Sequence, residues 1–91
     1  RKDARQAVDW YTKALEIRER LIKLMPDSPR FLDDLAWTHN NLATNLMILG
    51  RPADARPHWQ KAVAVRERLG DPFELSHCLN HLGRCEFALG E

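Results

Sequence analysis

Apolar and small side chains recur at helical spacing in four blocks of the chain, each bounded by stop and start signals. In the first block Ala7, Tyr11, Ala14, Leu15, Leu21 and Leu24 follow that spacing, with charged residues between them. The pattern predicts a helix from about Asp3 to Met25, ended by Pro26. Asp27-Ser28-Pro29 then restarts the chain: Ser28 suits an N-cap and Pro29 the first helical position. The second helix is predicted to run to Leu49, with Leu32, Leu35, Leu42, Leu46 and Leu49 on one broad side and Gly50 as a left-handed C-terminal cap. Pro52 opens a third helix bearing Ala55, Trp59, Ala62, Val63, Val65 and Leu69, which Gly70 closes. Pro57 lies beyond its first turn and predicts a late start or a local bend. Asp71-Pro72-Phe73-Glu74 is a start signal for a fourth helix that reaches Leu89 and ends at Gly90. Connections this short force neighbouring helices to run antiparallel.

Two of these blocks are copies. Lys13-Ala14-Leu15-Glu16-Ile17-Arg18-Glu19-Arg20-Leu21 returns as Lys61-Ala62-Val63-Ala64-Val65-Arg66-Glu67-Arg68-Leu69, 48 residues later. A repeat of this size marks a helical array, in which each unit buries its apolar face on its neighbours.

Around the copies, Leu42-Ala43, Leu46, Gly50, Ala55, Trp59 and Ala62 resemble the tetratricopeptide pattern of large, small, aromatic and glycine positions. The alanines remove bulk where helices approach closely, and Leu42 and Trp59 fill space between units. Ala7, Tyr11 and Ala14 stand at matching places in the first helix, and Leu82, Gly83 and Gly90 in the fourth; Glu86 occupies a position that is usually apolar. The resemblance implies an all-α fold: TPR-like antiparallel hairpins in a short right-handed superhelical array of about four helices. It divides residues 1–91 into a half repeat (1–27), a full repeat (28–70) and a half repeat (71–91) of one domain. The interval from Ala14 to Ala62 is 48 residues and that from Leu42 to Leu82 is 40, against about 34 in the standard unit. Such extended helices, with Asn40-Asn41-Leu42-Ala43 and the Ala-Leu-Glu-Ile-Arg-Glu-Arg run, resemble kinesin light chain repeats. Similar long units occur in tails of bacterial signalling proteins, including serine/threonine kinases.

In this family the first helix of each unit lines a concave groove that holds a peptide. Carried over by position, the groove candidates are Trp37, Asn41, Thr44 and Ile48 on the second helix and His77, Asn80, His81, Arg84 and Phe87 on the fourth. An asparagine at the place of Asn41 commonly bonds the peptide backbone, since an amide offers donor and acceptor together. His81 stands at the equivalent place in the next unit and departs from that ladder. Arg84 suits a carboxylate of the ligand.

Composition narrows the alternatives. Charged residues make up 30% and hydrophobic residues 44%, as in ordinary globular proteins, and a net charge of +1 gives no basic surface for nucleic acid. The longest apolar runs are too short for a membrane span. Two cysteines and an N-terminus without a signal peptide imply a reducing, cytoplasmic setting, and an initial Arg1 implies a piece of a longer array. His77 and His81 share a helix face at a two-ligand metal spacing, with Cys78 and Cys85 nearby. The two cysteines stand about 10 Å apart along a helix, too far for a disulfide. No Cys-x-x-Cys knuckle accompanies them, so the expectation is structural cysteines, surface histidines, and no metal or cofactor. No phosphate loop, nucleophile elbow or His-Glu-x-x-His motif points to an enzyme, and Asp33-Asp34 suits a helix start. The resulting expectation is a non-catalytic module that binds a peptide or partner protein. The rival readings are self-association through apolar stripes exposed on the terminal helices and the regulatory tail of a larger signalling protein.

Overall fold

The computed structural model describes residues 3–90, and every regular element among them is an α-helix. α1 spans Ala4–Leu24, α2 Pro29–Ile48, α3 Pro52–Leu69 and α4 Pro72–Ala88. Each helix packs on the next one in the chain. The boundaries follow local chemistry. Side-chain oxygens of Asp3, Ser28 and Asp71 accept from the backbone N–H of Arg5, Phe31 and Glu74, and such caps contribute about 1 kcal/mol each. α2 ends with Gly50 at φ 72°, its N–H donating to Met47 O while the N–H of Arg51 donates to Leu46 O. That pair of bonds is a Schellman ending, which needs a left-handed residue that glycine supplies without a Cβ clash.

Pro57 does not delay α3: the helix begins at Pro52 and includes it. Its ring removes one N–H, the one that would reach the carbonyl of Ala53 in the first turn, and bonding resumes beyond it.

The core lies along the seams of α2 and α3. Ala43, Ala55, Ala62 and Cys85 are fully buried, and Trp59, Leu42, Leu46, Leu32 and Ala36 almost so. Alanines at the crossings let the helices approach closely, and Trp59 fills the space this leaves between them. The Cys85 thiol donates to Pro52 O at 3.1 Å, tying α4 to the start of α3. Arg66, 5% exposed, reaches from α3 to the carboxylate of Asp33 on α2, so Asp33 has a tertiary partner as well as its place near a helix start.

Leu24 departs from the expected inner face of α1 and is exposed, as are Trp10 and Ile17 at seven-residue intervals before it. α1 packs mainly on α2, and its Trp10, Ile17 and Leu24 stay open to solvent. On α4, Phe73, Leu79 and Phe87 are exposed in the same way.

Candidate functional site

α2 and α4 flank α3 and carry all nine groove candidates. The structure gathers four of them. Thr44 and Ile48 from α2 and His81 and Arg84 from α4 line one open depression of about 310 Å³, with Met47 and with Trp59 from α3. Ile48, 68% exposed, supplies an apolar wall, and Arg84 supplies a cation. Trp37 is not part of this depression. It lies two turns before Thr44 on α2, edge-on to Tyr11 at 6.1 Å, and Tyr11 is in turn edge-on to Trp10 at 5.1 Å. Beside this aromatic cluster Gln6, Ala7, Trp10, Tyr11 and Asn45 line a larger depression of about 560 Å³. Sequence reasoning left these α1 residues off the groove because it considered only α2 and α4; the adjacent Trp10-Tyr11 pair was the available signal. Asn80 and Phe87 are exposed and line neither depression. Asn41 is half-buried, and its amide nitrogen is enclosed without a partner among the described residues.

The histidines define the site's electrostatics. His81 lies flat on Trp59, with ring centroids 4.7 Å apart and planes within 5°. Its Nε2 is 3.2 Å from Nε2 of His77, one turn earlier on the same helix. Burial, then the charges of His77 and Arg84, push the His81 pKa below its ordinary value, so the ring is neutral at neutral pH.

A second histidine pair, which the sequence reading did not anticipate, joins α2 to α3. His39 is buried to 1% exposure, and its Nδ1 lies 3.0 Å from Nδ1 of His58. One ring must donate and the other accept, so the two hold complementary neutral tautomers. Burial first, then the charges of His58 and Lys61, lower the His39 pKa to about 4. His58 is lowered too, by burial and Lys61, against the opposing pull of Glu19 and Asp54.

Cys78 and Cys85 are thiols packed in the interior. Burial raises the Cys78 pKa while the Arg66 guanidinium beside it pulls the other way. A buried, protonated thiol makes a weak nucleophile. Among the described residues no three His, Cys, Asp or Glu side chains gather as a metal cage, and no helix is long and apolar enough to cross a membrane.

Four helices packed in chain order, with alanine crossings and an aromatic wedge, define an antiparallel helical-repeat protein. A sequence model of the tetratricopeptide repeat family matches residues 34–91, more than half of the chain. The chain belongs to the tetratricopeptide repeat family, whose members generally mediate protein–protein interaction. No curated protein and no solved structure gives a significant match.

Proposed function

We propose that this domain captures a peptide or a segment of a partner protein on the face shared by α2 and α4, without catalysis. The observation that carries the reading is the convergence of Thr44, Ile48, His81 and Arg84 on one depression floored by Trp59. An apolar wall beside an unburied guanidinium suits a ligand with an apolar side chain next to a carboxylate. The enclosed amide of Asn41 must rotate outward to reach a peptide backbone, so Arg84 and Thr44 carry more of the polar recognition than Asn41 does. Trp37, Asn80, His77 and Phe87 extend the same face beyond the depression. This reading keeps the frame of half, full and half repeat, and the length of the helices supports the kinesin-light-chain-like form.

Selection from a random peptide display library, followed by calorimetric titration of the enriched peptides, tests the proposal. Affinity lowered by both Arg84→Ala and Ile48→Ala supports it. Enriched peptides whose affinity is unchanged in both variants overturn the site. A second reading, self-association, is favoured by the exposed stripe Trp10-Ile17-Leu24 and by the exposed Phe73, Leu79 and Phe87. Light scattering over a concentration series decides it, because a strict monomer at high concentration rules it out.

A further inference from the structure

We propose that His77 and His81 form a two-nitrogen chelate for a divalent transition-metal ion on the face of α4, with the remaining coordination positions open to solvent. The geometry is the first argument. Metal–imidazole bonds of about 2.0–2.1 Å place two bound nitrogens about 2.9 Å apart at a right angle and about 3.3 Å apart at the tetrahedral angle. The Nε2 atoms of His77 and His81 are 3.2 Å apart, already within that bite. Residues four apart share a helix face, and paired histidines at this spacing serve zinc on helices elsewhere.

Preorganisation is the second argument. Stacking on the buried indole of Trp59 fixes the plane of His81, so little rotamer freedom remains to be lost there on binding. His77 is exposed and gives a metal ion direct entry from solvent. No third His, Cys, Asp or Glu completes a cage among the described residues, so water or an incoming ligand supplies the other donors. Two imidazoles without thiolates select Cu²⁺ most strongly, with Zn²⁺ and Ni²⁺ behind it. Arg84, in the depression beside His81, opposes a bare dication but favours an anionic donor on it, such as a carboxylate. The metal site does not depend on peptide capture at the neighbouring depression.

The test uses the whole 91-residue chain titrated with Cu²⁺ and separately with Zn²⁺, read by calorimetry. Tryptophan fluorescence provides a second readout, because Cu²⁺ on His81 sits against Trp59 and quenches it. The expected result is one ion per chain, reversible quenching by Cu²⁺, and affinity lowered about tenfold or more in His77→Ala, a loss that even supporting groups of metal sites produce. His77→Ala alters an exposed side chain and leaves the fold intact by circular dichroism. Imidazole nitrogen NMR shifts in the unmutated chain with Zn²⁺ give a check that needs no variant: the Nε2 signals of His77 and His81 move. Absence of saturable binding, binding unchanged in His77→Ala, or metal-induced shifts only at His39 and His58 each overturn the site and leave His77–His81 as a hydrogen bond alone.

Discussion

The chain holds two histidine pairs with nearly equal nitrogen separations, 3.0 Å for His39–His58 and 3.2 Å for His77–His81, and burial gives them opposite roles. The first pair joins two helices in the interior, where a charge on either ring meets its neighbour and Lys61 in a poorly solvating setting. It therefore works as a neutral hydrogen bond that holds α3 to α2. The second pair lies along one helix, open to water on the His77 side, where a tautomer shift that moves the shared proton to Nδ1 leaves both Nε2 lone pairs for a ligand. α3 serves both through consecutive residues: His58 completes the buried pair, and Trp59 supports His81. The same imidazole chemistry is structural where water is excluded and available for binding where it is not.

Removing the residue beneath the open pair has the largest expected effect. Trp59→Ala deletes a side chain that is 1% exposed, and such truncations cost about 3–5 kcal/mol. Urea unfolding measures the loss. In the fraction that stays folded, His81 loses the cover that depresses its pKa, and NMR titration is expected to show it moving upward. An unchanged His81 titration would show that the stacking does not set its electrostatics.

The buried pair predicts a pH-dependent stability. His39 has an ordinary pKa of 6.5 when unfolded and about 4 when folded, so the unfolded chain binds the extra proton between these values. Stability from this residue is complete above pH 6.5, falls as pH drops, and is fully lost near pH 4, a change on the order of 3 kcal/mol. Carboxylates titrate in the lower part of the same window, so the informative quantity is the difference between unmutated chain and His39→Leu. Leu is what α4 carries at the corresponding position, Leu79, 40 residues on. Thermal unfolding from pH 7.5 to 4 is expected to show a flatter profile for the variant, and parallel profiles would sink the assignment.

The two pairs also differ in how far they can be read from sequence. His77 and His81 are four apart in a segment with strong helix signals, so their shared face follows from helix geometry alone. His39 and His58 are 19 residues apart on different helices, and their meeting depends on how α2 and α3 rotate against each other. The four helices were legible to within a residue or two, because proline and glycine punctuate the chain and Asp3, Ser28 and Asp71 cap it. The Ala55 and Ala62 crossings were legible because the repeat displays them again at Ala7 and Ala14, with Tyr11 at the place of the Trp59 wedge and Gly83 at that of Ala43. The candidate site was legible only in part. Thr44, Ile48, His81 and Arg84 line one depression, and Trp37 also meets Tyr11, a contact set by a ring on α1 that position-by-position reasoning along α2 and α4 leaves out. The exposure of Leu24 was missed because periodicity assigns a face without saying whether a neighbour covers it.

The smallest expected effect sharpens the contrast most. Without added metal, His77→Ala is predicted to change stability by no more than about 0.5 kcal/mol, the usual scale for a surface substitution away from caps and core. His77 is exposed, and its bond to His81 competes with water at every moment, so little net free energy is at stake. Matched urea titrations at pH 7.5 and pH 5 should leave the variant parallel to the unmutated chain. A loss above 1 kcal/mol at either pH would mean that His77 holds His81 on Trp59 as part of the fold, and the division between a structural pair and an open one would fail.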